Sequence, residues 1–187
     1  TGDIRCSICY DTATKAFYFD SKGGYFYRVR VQKGTDGAWK LTDRAELSIG
    51  GMSTSTPVIA NGRAYIGVSG KGQFTEYSGH SIMVIDLSGL SIAYTAQTQG
   101  YPQTSGLLTT GYDNYNYNYV YFLDNYTPGK LRVLRDKAGQ KEVNYTTIER
   151  VGEGKNEQTY TTAYALFTPA ESQAQYCICS PIVDENG

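Results

Sequence analysis

The sequence predicts an all-β chain made of four-stranded antiparallel meanders repeated in tandem. Three observations carry this reading. The 187 residues include 18 Tyr and 21 Gly, and Tyr favours pleated, half-buried surfaces while Gly favours turns. The apolar runs are short, and each is bounded by turn residues. One arrangement of runs and turns returns at a period of roughly fifty residues, the mark of a repeat architecture.

The clearest unit covers residues 54–97. Its runs at 57–60 and 64–68 are separated by Asn61-Gly62, and both central residues of a type I′ hairpin turn need the positive φ that Asn and Gly tolerate. A Gly- and Ser-containing loop leads to a third run at 81–87, and Ser88-Gly89 to a fourth at 90–96. The pattern is already present over residues 5–47. A first strand in CSICY is followed by a turn at 12–14, strands at 16–19 and 25–31, and a fourth strand at 38–47 that holds the one tryptophan, Trp39.

A third copy spans 104–151. TSGLLTTGY supplies its first strand, residues 119–123 the second, 130–135 the third after Thr127-Pro128-Gly129, and 143–151 the fourth. A partial fourth unit is expected over 161–187, where YCICSPIVDENG repeats STSTPVIANG and Pro181 matches Pro57. Within it TPAES, residues 168–172, has the Thr, Pro and Glu spacing of a short helix start. A four-stranded sheet cannot bury both faces alone, so tandem copies imply radial or solenoid stacking.

These repeats resemble the blades of β-propellers of the pyrroloquinoline-quinone-type, or quinoprotein-like, repeat family. The shared pattern is a small-polar strand, an Asn-Gly turn, an AYIG strand, a glycine loop and a SIMVIDL strand, and it covers nearly the whole chain. STPVIANGRAYIGVSG, YPQTSGLLTTGY and DNYTPGKLRVLRD further resemble stretches of secreted multidomain surface proteins of Gram-positive bacteria. The resemblance implies about three propeller blades plus the start of a fourth. It implies an incomplete ring, completed by the remainder of a larger propeller or by a second chain, and an extracellular or cell-surface location. Enzymes of the family carry docking tryptophans in most blades and a vicinal disulfide beside the quinone. This chain has one Trp and no adjacent cysteines, so neither pyrroloquinoline quinone nor calcium is carried over, and no cofactor is expected.

Charge excludes some partners. Seventeen basic and 18 acidic residues are interspersed, without the basic footprint of a nucleic-acid binder. No apolar run approaches the ~20 residues of a spanning helix. Cys6, Cys9, Cys177 and Cys179 lie in strand-like apolar runs, which favours free thiols over a disulfide or a zinc site.

Candidate chemistry is sparse. His80, the one histidine, lies near Ser78 and Ser81, but no nucleophile elbow leads into a helix. Residues 67–72 lack phosphate-loop spacing and read as a hairpin loop. Residues 113–118, DNYNYN, alternate oxygen ligands like half a calcium loop without its glycine and bidentate Glu. Asn125 and Asn144 head glycosylation tripeptides. The tyrosines carry more weight, because loop tyrosines give rigid amphipathic contact area. Tyr101, Tyr112, Tyr115, Tyr117 and Tyr126 fall in or beside expected loops and are the candidate ligand-binding residues. The expectation is a non-enzymatic binding or scaffold module for a glycan or protein. The alternatives are a segment of a quinoprotein-like enzyme and a propeller fragment that closes only with a partner chain.

Overall fold

The structure is a computed structural model that describes residues 2–110, 115–173 and 175–184. Its strands form three antiparallel sheets. Sheet one holds β1 (Cys9–Asp11), β2 (Ala16–Asp20), β3 (Tyr25–Lys33) and β4 (Trp39–Ser48) in sequence order. Sheet two holds β5 (Val58–Ala60), β6 (Arg63–Val68), β7 (Ser81–Asp86) and β8 (Ser91–Gln97), again in order. The turn between β5 and β6 has φ of 50° at Asn61 and 75° at Gly62, the positive pair that the dipeptide predicts.

Sheet three departs from the expected meander. It contains β9 (Leu107–Thr110), β10 (Asn118–Leu123), β11 (Leu131–Asp136), β12 (Thr146–Val151) and β13 (Gln158–Phe167), in the order β12-β13-β11-β10-β9. The strand expected at 143–151 as the neighbour of β11 is therefore the outermost one. Residues 161–167, expected to open a fourth unit, instead complete the third. The physical reason is Arg132 on β11. It is fully buried, and β13 supplies Thr162 Oγ1 and the Ala163 carbonyl as acceptors, each 3.0 Å from its guanidinium. Beyond β13 the described chain forms no strand. A 3-10 turn at Glu171–Gln173 falls where TPAES predicts a short helix.

The sheets stack, and successive sheets are related by the repeat. Cys9 pairs with Tyr18, Val58 with Tyr65 and Leu107 with Tyr121, so Tyr18, Tyr65 and Tyr121 hold one position in three sheets. Period-two alternation sends such a tyrosine to one face and its two neighbours to the other. Tyr18 packs toward sheet two, against a core that includes Ala64, Ile66 and Ile85. Tyr65 packs toward sheet three, with Val84 and Tyr94, against Val120, Phe122 and Leu134. We call the tyrosine side of each sheet its trailing face and the opposite side its leading face.

The segments that precede each first strand also stack. Ser7 N–H donates to Thr56 Oγ1, Thr54 Oγ1 to the Gln103 carbonyl and Ser55 Oγ to the Thr104 carbonyl, each across 49 residues. Thr104 Oγ1 then donates to the Cys179 carbonyl. The first strands β1, β5 and β9 adjoin in turn. Gly67 is part of this close approach, since a Cβ there would overlap the Pro102 carbonyl oxygen. That contact, rather than a bound anion, accounts for the glycine.

Candidate binding face

The repeat identifies a surface that the linear sequence does not. In sheet two the row Tyr65–Val84–Tyr94 runs across the trailing face, and the equivalent row in sheet three is Tyr121–Val133–Tyr164. The first row is covered. Tyr65 donates to Asp136 Oδ2 at 2.7 Å and Tyr94 to Asp136 Oδ1 at 2.8 Å, while Asn118 Nδ2 donates to Tyr65 Oη at 2.7 Å. Burial pushes the Asp136 carboxyl above its ordinary range, and the two hydroxyls and Arg63 oppose that shift. Among the described residues no sheet lies over the second row, and Tyr164 remains 41% exposed.

Two cavities lie on this open face. The larger, of about 400 Å³, is lined by Tyr119, Val133, Arg135, Tyr145 and Tyr164. The Arg135 guanidinium sits 4.0 Å from the Tyr117 ring centroid and 4.9 Å from that of Tyr145, and Lys137 Nζ lies 4.7 Å from the Tyr117 centroid. Each contact sets a cation over the negative face of a ring. Hydrogen bonds from Lys137 and then Arg135 hold the Tyr117 hydroxyl below its ordinary pKa. Arg135 Nε is buried with no acceptor. The smaller cavity, of about 220 Å³, is lined by Leu107, Thr109, Tyr121 and Leu131 together with Pro181, Ile182 and Val183.

The tyrosines expected from sequence are divided by the fold. Tyr117 joins the cation stack and Tyr115 is 72% exposed beside it in sequence. Tyr101 is buried: its hydroxyl accepts the Thr54 N–H at 2.8 Å, and its ring packs on Phe74 and His80. Tyr126 is half-buried next to Tyr77. Tyr112 lies outside the described residues. Sequence reasoning passed over Tyr119, Tyr145, Tyr164 and Arg135. The alternation in NYVYFL was the available signal, since it places Tyr119 and Tyr121 on one face.

No protein-family model matches this chain. No curated protein matches it either.

The remaining candidate residues lie elsewhere in the fold. His80 is fully buried, and its Nδ1 accepts the Gly70 N–H at 2.8 Å, which leaves the proton on Nε2 facing the Gln73 carbonyl at 2.9 Å and Ser78 Oγ at 2.8 Å. A ring in that tautomer cannot take a proton from Ser78 at Nε2. Burial holds its pKa below the ordinary 6.5, so it pins the loop between β6 and β7 as a neutral imidazole. Of the calcium-like stretch, Asp113 and Asn114 lie outside the described residues, and Asn118 is committed to Asn61 and Tyr65. Among the described residues, no three His, Cys, Asp or Glu side chains are grouped as metal ligands. Asn125 is buried with its amide on Gln103 Oε1, while Asn144 is exposed. All four cysteines are free thiols. No helix among the described residues is long and apolar enough to cross a membrane.

Proposed function

We propose that this chain is a propeller-type binding and scaffold module of a larger extracellular surface protein, and that it acts by contact rather than by catalysis. In this reading the three sheets are successive blades. The regular spacing of their first strands and of the stacked connecting segments supports it. The contact surface is the trailing face of sheet three, where Tyr119, Tyr145, Tyr164 and Arg135 surround the larger cavity, and its ligand is a glycan or a protein.

One observation carries the reading: the row Tyr121–Val133–Tyr164 repeats a row that is covered inside the molecule, yet it faces outward. Tyrosine and arginine are the side chains enriched where proteins meet partners, because they join large apolar area to a polar end. The test is a screen of the immobilised chain against panels of glycans and secreted proteins, repeated with Tyr145→Ala/Arg135→Ala. Saturable binding that disappears in the double variant is expected. Substrate turnover that is lost on changing a single loop residue would overturn it.

The open leading face of sheet one favours a second form of the same reading, in which further blades close the ring. Tyr10 packs on Phe17 at 4.9 Å and Phe19 stacks on Tyr27 at 5.1 Å on that face, with Trp39 69% exposed at its rim. Phe17 and Phe19 flank Tyr18 as Ala64 and Ile66 flank Tyr65, so they occupy positions that meet a preceding sheet elsewhere in the stack.

A further inference from the structure

Two of the four thiols are set apart by geometry. Cys177 Sγ and Cys179 Sγ lie 3.2 Å apart, beyond a disulfide bond of ~2.05 Å but close enough that a small adjustment of either side chain joins them. Cys179 is exposed and Cys177 half-buried. The segment is anchored on both sides to connections that flank the strands of sheet three. Gly129 N–H donates to the Gln175 carbonyl at 2.8 Å, and Thr104 Oγ1 to the Cys179 carbonyl at 2.9 Å. The segment continues into Pro181, Ile182 and Val183, which line the smaller cavity.

The N-terminal thiols are placed differently. Cys6 Sγ is 3.4 Å from the Asp20 carbonyl and 3.3 Å from the Asp20 amide nitrogen, so the backbone of β2 holds it. Burial, then the nearby Asp20 carboxyl, pushes the Cys6 thiol up to about 11. Burial raises Cys9 as well, with Asp11 adding to the shift. Burial raises the Cys177 thiol as well. Thiol exchange needs access and a thiolate, and on access Cys179, the exposed thiol of the four, is favoured as the attacking group.

We propose that Cys177 and Cys179 form a redox-active dithiol that exchanges with small-molecule disulfides, closing an intramolecular disulfide within the 175–183 segment that borders the trailing face of sheet three. The exchange takes two steps. The exposed Cys179 thiolate attacks one sulfur of the disulfide, forming a mixed disulfide and expelling a thiolate. The Cys177 thiolate then attacks Cys179 Sγ, forms the Cys177–Cys179 bond and expels the second thiolate. Two cysteine thiols are oxidised, one disulfide is reduced to two thiols, and the protons lost by the cysteines go to the departing thiolates. Closing this short ring removes backbone freedom between Cys177 and Cys179, just before Pro181, Ile182 and Val183, which line the smaller cavity.

The test uses oxidised glutathione as the probe on the full chain, followed by thiol alkylation and tryptic mass mapping. The peptide that begins at Asn156 carries both cysteines and no internal cleavage site. It is expected to lose both alkylation adducts and two hydrogens, while Cys6 and Cys9 remain alkylated. Cys177→Ser is expected to stop the reaction at a glutathione adduct on Cys179, which a merely accessible pair of independent thiols would not distinguish from wild type. Full alkylation of all four cysteines after excess oxidised glutathione overturns the proposal. So does a bond that maps to Cys6 or Cys9, or separate glutathione adducts on Cys177 and Cys179 in the wild-type chain.

Discussion

Asp20 offers the sharpest test of how this stack is held together. It ends β2, is fully buried, and neither carboxylate oxygen has a hydrogen-bond partner. Burial pushes its carboxyl from an ordinary 3.8 up to about 7. Ser53 and Cys6 lie close enough to restrain the rise. Ser53 Oγ, however, donates to the Gly67 carbonyl at 2.8 Å, and Cys6 Sγ is held by the Asp20 backbone. An acid whose folded pKa is raised contributes stability that is fully present below its unfolded value. That stability is lost as pH rises through the folded value. The window here runs from 3.8 to about 7, which at ~1.36 kcal/mol per pH unit amounts to a loss of about 4 kcal/mol. Asp20→Asn keeps the shape of the neutral acid and cannot ionise. Urea unfolding of both proteins should therefore agree within about 1 kcal/mol near pH 4 and favour the variant by ~4 kcal/mol near pH 8. Parallel stability curves would refute the reasoning, because they would mean that the carboxylate is charged and paired at neutral pH. A variant less stable than wild type near pH 8 would refute it as well.

Arg132→Met should destabilise the chain by about 3–5 kcal/mol in urea, because the buried Asp124 carboxylate loses its cation while Glu149 keeps only Lys130 and Tyr77. Adding Asp124→Asn and Glu149→Gln should return most of that loss. Tyr94→Phe removes one of two hydroxyl donors to the buried Asp136 and should lower stability in urea unfolding by about 1–3 kcal/mol. For His80, whose folded pKa lies below 6.5, the contribution to the loop is complete above the ordinary value and is lost as pH falls toward the folded one. Exchange of the Gly70 amide, corrected for intrinsic rate, should accelerate as the solution is taken below that point in wild type and not in His80→Gln. Unchanged protection would show that the imidazole does not hold the loop.

Local chemistry made sheets one and two legible. The Asn61-Gly62 turn, the alternation in AFYF and the recurring second strand are signals carried within a few residues, and the strands fall where they point. The open row on sheet three was less visible, since a tyrosine in a strand reads the same whether or not another sheet covers it. Tyr101 shows the converse. Flanked by Gly100 and Pro102 it reads as a loop residue, yet its hydroxyl meets the backbone of Thr54, 47 residues away. Nothing within the local window encodes that partner.

The misplaced fourth strand of sheet three has the same origin, and one residue explains it. Ile66 pairs with Met83 in sheet two, Phe19 with Tyr27 in sheet one, and Phe122 with Arg132 in sheet three. The position is apolar or aromatic in the regular sheets and cationic in the third. A buried guanidinium demands several acceptors. Asp124 lies 2.8 Å away at the end of the neighbouring strand, and Glu149 3.0 Å away on β12, braced by Lys130 at 2.7 Å and by Tyr77 at 2.7 Å. Burial works to raise the Glu149 carboxyl, but Arg132, Lys130 and Tyr77 outweigh it and hold it below its ordinary range. The step from Thr104 to Cys179 spans 75 residues where the preceding one spans 49, and the excursion through β12 takes up much of the surplus. The buried arginine and the extra strand thus belong together. β12 brings Glu149 to a charge that the four-stranded repeat could not satisfy, and Tyr77, on the loop that His80 pins, ties sheet two to the same cluster.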